Sequence, residues 1–337
     1  MKSMRVAAGL AAVAVLALSA CSSTDDSSGS GEGTATGTTS SDSGEGTFPA
    51  TVDTKFGEIT VESRPERIVA LGWGDAETAL SLGYQPVGAS DWLGFGGDGV
   101  GPWAEGEYTE SPEIIDTLEP SYEAIAALEP DLILDVKSSG DQDRYDRLSE
   151  IAPTVGVPEG GDSYLTTGQQ QLELISAALG VPEKGAELEA QLDDAFATVR
   201  EEHPDWDGKT IAAATRTSEG WGAYIEGGDR VDFLENLGFV QSPAIAELPV
   251  SSSGFSVDIS SEQLDVLDAD LIVAFPIYID TAEITGDPQW QAIPAVADGR
   301  SVVIDGDISS AYSLGTIGAQ LYALDNLVPL IEAALGS

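Results

Sequence analysis

Residues 167–203 read TGQQQLELISAALGVPEKGAELEAQLDDAFATVREEH, and this stretch decides how the rest of the chain is organised. Apolar residues recur at helical spacing from Leu172 to Leu179. Gly180-Val-Pro182 then interrupts the pattern with residue types that end one helix and begin the next. A second helix follows from Glu183 to about Glu202, and at 1.5 Å per residue it would span about 30 Å. The stretch predicts one long rigid helix joining two lobes; a surface helix of a single large domain is the alternative.

Short strands and helices alternate on both sides of this connector. Before it, in residues 51–166, we predict strands at 67–71, 86–89 and 131–134 and helices at 75–82, 122–128 and 142–151. After it, in residues 204–337, we predict strands at 210–214, 270–274 and 301–304 and helices at 230–237, 261–267 and 315–334. Such alternation is typical of an α/β fold with mainly parallel central sheets flanked by helices. Segments 122–134 and 261–273 echo each other, each ending in an Asp-Leu-Ile strand start, so we expect two lobes of related architecture.

Length and charge narrow the class of protein. A chain of 337 residues exceeds the size at which a single core usually divides, which favours two lobes. Asp and Glu number 58 against 14 Lys and Arg, a formal net charge of −44. Such a surface repels anions at long range and excludes nucleic acid as a partner.

The N-terminus predicts an exported protein. Positive charge at Lys2 and Arg5 precedes a short apolar run, and Leu18-Ser-Ala-Cys21 closes it with small residues, so residues 1–21 form a secretory signal. Cys21 is the only cysteine, which leaves no thiol for a disulfide or a zinc site. Residues 22–50, rich in Ser, Thr, Gly and acidic residues, are predicted to be a disordered tether. An ordinary cleaved signal with an incidental cysteine is the alternative.

Several segments together resemble one known family. They are 67–71, 77–83, 125–133, 148–155, the connector, and 289–302, and Leu-Ser-Ala-Cys21 resembles a bacterial lipobox. The chain is similar to the iron-siderophore and vitamin B12 substrate-binding lipoproteins of ABC importers over roughly residues 55–335. The resemblance implies a class III substrate-binding protein: two lobes joined by a long helix, with a ligand cleft between them and limited hinge motion.

The resemblance further implies an extracytoplasmic monomer that is not an enzyme and that passes its ligand to an ABC permease and its ATPase. Its ligand would be a ferric siderophore, with the iron already chelated, so we expect no cofactor and no metal ligands from the protein. A cobalamin or haem receptor is the alternative within the family. A secreted hydrolase is the alternative from another class, although no G-x-S-x-G elbow is present and His203 is the only histidine.

Candidate ligand-binding residues lie in the loops after predicted strands, where open parallel sheets gather their ligands. Large rings offer apolar area at low entropic cost, and basic side chains can contact chelate oxygens. Taken singly, each ring is more often packing than site, but as a set they favour a cleft for a bulky ligand. The predicted set is Trp73, Trp92, Trp103, Lys137, Tyr145, Arg216, Trp221, Tyr224, Tyr278 and Tyr312. Arg216 is the most informative cation, with an ion pair to Glu219 or Glu226 as its alternative role.

Two further expectations concern partner and ligand type. The resemblance implies one acidic docking residue per lobe for the permease, and we assign Glu77 and Glu235, with Asp232 as a second choice for the second lobe. A solvated helix carboxylate is the alternative for each. The strongly negative chain disfavours trianionic ferric catecholates and favours near-neutral or cationic ferric hydroxamates.

Lipid anchoring can be tested at the single cysteine. Because more than one acyl chain on Cys21 would hold the protein stably to a membrane, Cys21→Ala should release it into the medium. Fractionation of cells expressing each form measures this. Retention of the variant in the membrane fraction would contradict the lipoprotein assignment.

Overall fold

Two separate sheets organise the fold in the computed structural model, which describes residues 46–336. The predicted signal, Cys21 and most of the tether lie outside the described residues. The strands are β1 (Ala50–Thr54), β2 (Gly57–Val61), β3 (Ile68–Ala70), β4 (Gly88–Ala89), β5 (Glu113–Ile114), β6 (Leu132–Leu134), β7 (Thr154–Val155), β8 (Thr210–Arg216), β9 (Trp221–Tyr224), β10 (Val240–Gln241), β11 (Ser256–Ile259), β12 (Leu271–Pro276) and β13 (Ser301–Val303).

The helices lie between and after these strands. They are α1 (Asp75–Ser81), α2 (Tyr122–Ala127), α3 (Gln142–Ser149), α4 (Gly168–Ala178), α5 (Pro182–Glu202), α6 (Asp229–Asn236), α7 (Pro243–Ala246), α8 (Ala282–Thr285), α9 (Pro288–Gln291), α10 (Pro294–Ala297), α11 (Gly306–Leu314) and α12 (Ile317–Leu335). Short 3-10 helices cover Pro102–Ala104, Asp162–Tyr164 and Ser261–Leu267. Within the described residues, none of the helices has the length and apolarity needed to cross a membrane.

The N-terminal lobe is built on a parallel sheet with strand order β5-β4-β3-β6-β7, and β1 and β2 form a separate antiparallel hairpin. In the C-terminal lobe the order is β11-β9-β8-β12-β13, with β10 also pairing with β8. Strands β8, β10, β12 and β13 are parallel, whereas β9 and β11 add an antiparallel edge. The predicted mainly parallel α/β class is therefore confirmed.

The echo between the lobes has a shared structural role. Asp131 accepts hydrogen bonds from the backbone N–H groups of Glu66 and Arg67 at 2.8 and 2.9 Å, just before β3. Asp270 likewise accepts from the backbone N–H of Thr210, at the start of β8, at 2.8 Å. Each aspartate thus fixes the start of the strand beside its own. The second predicted helix of the echo is instead a kinked 3-10 helix, because Gln263 leaves the helical region (φ −114°).

The connector consists of α4 and α5, separated by Gly180. Thr167 caps α4 with a capping box that includes Gln170, and Gly180 ends it with a left-handed φ of 71°. Leu188, in the first half of α5, packs against the core of the N-terminal lobe. Leu192 and Phe196, in the second half, belong to the core of the C-terminal lobe. The helix therefore contributes side chains to both cores, and all described residues fall within one compact unit.

Glu77 is buried where α1 meets α12, and it is 7% exposed. Its Oε1 accepts from the Gly101 N–H at 3.0 Å, and its Oε2 accepts from Trp103 Nε1 at 2.6 Å and Thr316 Oγ1 at 2.9 Å. Burial raises the pKa of Glu77, although these donors oppose the shift. The docking prediction for Glu77 is wrong, because a carboxylate with both oxygens bonded inside the protein is not available to a permease.

Replacing this carboxylate should affect stability. Glu77→Gln puts an N–H group where the carboxylate accepted a hydrogen bond, so at least one buried donor loses its partner. The unfolding free energy should fall by about 1–3 kcal/mol, measured by urea denaturation.

The exposed Glu187 of α5 provides the matched control. Glu187→Gln removes the same charge and should change stability by less than about 0.5 kcal/mol. Equal stabilities of the two variants would show that the Glu77 contacts contribute nothing to the fold.

Candidate ligand cleft

A cavity of about 260 Å³ lies between the two lobes, at the carboxyl ends of their strands. Its N-terminal wall carries Trp73 after β3, Lys137 after β6, and the segment 164–167 that leads into α4. Its C-terminal wall is formed by Tyr224, Gly227, Gly228, Asp229, Arg230, Phe255, Ile277 and Ser313. This is the edge at which open α/β sheets gather ligands.

Stacked rings build the N-terminal wall. Trp73 and Trp92 are parallel within 2°, with ring centroids 6.0 Å apart, and Tyr164 meets Trp92 edge-on at 5.3 Å. Trp92 Nε1 donates to the Leu71 carbonyl at 2.9 Å, which fixes Trp92 against Trp73. Trp73 Nε1 is buried and has no hydrogen-bond partner among the described residues. Of the two predicted tryptophans, Trp73 lines the cavity and Trp92 supports it.

Arg230 brings a cation onto the aromatic C-terminal wall. Its guanidinium carbon lies 4.3 Å from the ring centroid of Tyr224, 5.5 Å from Phe275 and 5.9 Å from Trp73. Nε donates to Ser313 Oγ at 3.2 Å. Across residues 46–336, no carboxylate lies within ion-pair distance of this guanidinium.

Sequence reasoning missed Arg230, although a signal was present. It is the second residue of α6, where the positive end of the helix dipole disfavours a cation. A residue that breaks a local preference in this way often has a functional reason.

Lys137 and Asp229 form an ion pair across the cleft. The Lys137 Nζ contacts Asp229 Oδ2, and the two side chains are 4% and 14% exposed. The same nitrogen lies 3.5 Å from the Leu314 carbonyl, and the other Asp229 oxygen accepts from the Gly168 N–H at 3.3 Å. Asp229 cancels the charge of Lys137, so that Arg230 leaves the cavity lining with one net positive charge.

The comparisons with known proteins agree with this α/β fold. The periplasmic binding protein family matches residues 68–308, most of the chain. This chain belongs to the periplasmic binding protein family. A solved periplasmic solute binding protein from Mycobacterium smegmatis is 28% identical, with a TM-score of 0.75 over 85% of this chain and 99% of that one.

Two further relatives carry names that describe a ligand. The probable siderophore-binding lipoprotein YfiY of Bacillus subtilis is 28% identical over 331 residues, 94% of each chain. The iron-uptake protein PiaA of Streptococcus pneumoniae, solved in complex with ferrichrome, is 27% identical with a TM-score of 0.72 over 85% of this chain and 99% of PiaA. Because the chain belongs to the periplasmic binding protein family, it is a binding protein rather than an enzyme. The hydrolase alternative is therefore wrong.

Three predicted ring residues of this periplasmic binding protein pack outside the cavity lining. Trp103 Nε1 donates to Glu77. Tyr145 stacks on Phe56 with centroids 3.9 Å apart. Tyr312 is 2% exposed, and its hydroxyl donates to the backbone carbonyl of Arg230 at 2.7 Å. This hydrogen bond holds the backbone of Arg230 in place. A strand-end loop can direct a ring toward the core as readily as toward the cleft, and spacing does not distinguish the two.

Residues at the end of β8, and after β8 and β12, also differ from expectation. Trp221 is 3% exposed and stacks on Trp290 at 5.3 Å, inside the C-terminal lobe. Arg216 lies over Trp221 at 5.6 Å and donates to the Thr217 carbonyl at 2.7 Å, and the described residues give it no ion pair. Tyr278 is fully exposed, with a left-handed φ of 56°. Among the predicted residues, Trp73, Lys137 and Tyr224 line the cavity itself.

The predicted docking residues of the second lobe lie in acidic surroundings. Glu235 and Asp232 line a second cavity of about 310 Å³ together with Glu189 and Asp193. Burial, followed by the charges of Glu226 and Asp232, raises the pKa of Glu235. Glu235 is partly exposed, so its assignment to permease docking stays a prediction.

Asp75 supports the loops that carry Trp73 and Lys137. Its Oδ2 accepts from the Gly72 N–H at 3.1 Å and the Val136 N–H at 2.8 Å. Its Oδ1 accepts from Gln171 Nε2 at 2.6 Å, and the same amide nitrogen donates to the Trp73 carbonyl at 2.9 Å. Burial raises the pKa of Asp75 to about 6, although these donors oppose the shift.

This buried acid predicts a pH dependence. Because the pKa of Asp75 is raised above 3.8, the folded state holds the proton more tightly than the unfolded chain. The contribution of the protonated Asp75 carboxyl group to the free energy of unfolding is greatest below about pH 4 and is lost as the pH rises through about 6. The loss between pH 5 and pH 7 is about 1.4 kcal/mol, by the conversion of one pKa unit.

Asp75→Asn isolates this contribution. The difference in unfolding free energy between wild type and variant should shrink by this amount between pH 5 and pH 7. A difference independent of pH would contradict the raised pKa.

Proposed function

We propose that this periplasmic binding protein captures a ferric siderophore of the hydroxamate type outside the membrane and delivers it to an ABC permease and its ATPase. A lipid on Cys21 would hold it at the membrane. The proposal rests on the aromatic cavity between the lobes, in which the Arg230 guanidinium lies among the rings. A guanidinium can donate to several chelate oxygens at once, and the rings pack against the apolar chelate surface.

The charge of the cavity favours the hydroxamate class. Lys137 is neutralised by Asp229, and Arg144, beside the cleft, donates to both oxygens of Asp135. Arg230 therefore supplies the net positive charge of the cavity within a chain of net charge −44. One cation suits a near-neutral ferric trihydroxamate, whereas a trianionic ferric catecholate calls for several.

The names of the relatives support a siderophore as the ligand. YfiY is named a probable siderophore-binding lipoprotein, and PiaA was solved with ferrichrome. Histidine ligation of a haem in the cavity has no support, because the single histidine, His203, stacks on Trp206 and contacts Glu332 at 2.9 Å. For delivery to the permease we retain Glu235, with Asp232 beside it, as the docking residues of the C-terminal lobe.

Ligand titrations test the proposal. Wild-type protein titrated with ferrichrome, a ferric hydroxamate, should show quenching of Trp73 fluorescence and tighter binding than with ferric enterobactin, a catecholate. Arg230→Gln should weaken ferrichrome binding by about 10- to 100-fold, because a hydrogen bond to a charged group contributes about 1.5–3 kcal/mol.

Arg200 provides a control of equal charge. It is about half exposed and pairs with Asp207 at 3.4 Å on the far end of α5, so Arg200→Gln should leave the affinity unchanged. Tighter binding of ferric enterobactin at moderate salt would contradict the hydroxamate assignment. Failure of both complexes to bind would reject the siderophore proposal as a whole.

A further inference from the structure

A groove of about 990 Å³ adjoins the cavity on the C-terminal lobe. Tyr224, Phe255 and Ile277 line both spaces, so the cavity and the groove are neighbours that share one wall. The groove lies between the turn that joins β8 to β9, the loop before β11, and the 3-10 helix Ser261–Leu267.

The volumes indicate that a ligand extends into this groove. At about 260 Å³ the cavity lies below the roughly 300–1,000 Å³ of pockets that hold drug-sized ligands. A ferric trihydroxamate is at least as large as such a ligand. Part of it must therefore lie outside the cavity, and the groove is the larger space beyond the shared wall.

Hydroxyl groups line the groove. The Oγ atoms of Ser251, Ser253 and Ser256 lie 2.6–3.0 Å from one another, and Thr217 and Ser260 lie along the same surface. Hydroxyl groups both donate and accept, so they can bind the amide and ammonium groups of a flexible chain.

The charge of the groove is opposite to that of the cavity. Glu219 and Asp258 line it, both are exposed, and the described residues place no cation within ion-pair distance of either. No lysine or arginine belongs to the described lining. The nearby Arg216 is bound to the Thr217 carbonyl and the Trp221 ring.

The indole N–H group of Trp221 is a second feature of the groove. Trp221 lines the groove and is 3% exposed, yet its Nε1 has no acceptor in the part of the chain that the structure describes. Buried indole N–H groups usually find a partner. A small adjustment of the wall would let a carbonyl oxygen of the ligand accept from it.

We propose that the groove binds an ammonium-bearing arm of a ferric hydroxamate whose chelate occupies the cavity. The inference rests on the proposed function and adds the chemical class of the arm. Carboxylates, hydroxyl oxygens and ring faces, the groups present here, are those that bind ammonium. Arg230 at one end and Glu219 with Asp258 at the other set the direction in which the ligand lies.

A matched ligand pair tests this inference. Ferrioxamine B carries a free ammonium group, and its N-acetyl derivative is the same chelate without that charge. Wild type should bind ferrioxamine B about fivefold more tightly, since two exposed charge contacts contribute modestly. In Glu219→Gln/Asp258→Asn the two affinities should become equal, with the affinity for the acetylated complex unchanged.

Glu262→Gln/Asp265→Asn is the control, because it removes the same two charges from exposed positions outside the groove lining. It should keep the fivefold preference. Equal binding of the two complexes by wild type would overturn the inference and leave the proposed function intact, as would a preference that survives in the groove variant. Failure of wild type to bind either complex would instead count against the hydroxamate function.

Discussion

The carboxylate of Asp229 is the contact on which the cleft depends. It pairs with Lys137 of the N-terminal lobe, accepts from the N–H of Gly168 at the start of α4, and belongs to the first turn of α6 in the C-terminal lobe. Gly315 has a left-handed φ of 80°, and a Cβ there would lie 2.5–2.8 Å from this carboxylate. Both lobes and the connector therefore meet at one largely buried carboxylate, and only glycine at position 315 leaves room for it.

This arrangement also separates the charges that pair inside the protein from the charge that faces the cavity. A buried ion pair is costly to desolvate, and losing one partner would leave the other uncompensated. Lys137 forms such an ion pair with Asp229, and Arg144 forms one with Asp135. Arg230 differs, because aromatic rings and one hydroxyl surround its guanidinium. The cleft thus offers one directed cation within a strongly acidic protein.

The role of an acidic residue depends on its surroundings, as two buried carboxylates show. Asp75 and Glu77 lie on the same short helix, α1, and both are buried and fully hydrogen-bonded. Asp75 ties the loops beneath the cavity to α4, and Glu77 ties α1 to the start of α12. On a helix read from sequence, a glutamate such as Glu77 is indistinguishable from a solvated or docking residue.

The amino-acid sequence by itself determined the α/β class, the parallel sheets and the helical break at Gly180. Hydrophobic periodicity and the positions of Gly and Pro are local properties of the chain, so they can be read without the tertiary structure. It also indicated that Trp73, Lys137 and Tyr224 would lie near one another, because the carboxyl ends of parallel strands meet at one edge of a sheet, and all three line the cavity. Tertiary structure alone decided that Trp103, Tyr145 and Tyr312 pack outside the cavity lining and that Trp221 lines the neighbouring groove. It also decided that Glu77 is buried and that Arg230 is the cation of the cavity without a carboxylate partner among the described residues. The direction of a loop side chain and the pairing of a charge depend on residues distant in sequence, such as Asp229 opposite Lys137, and local pattern carries no information about them.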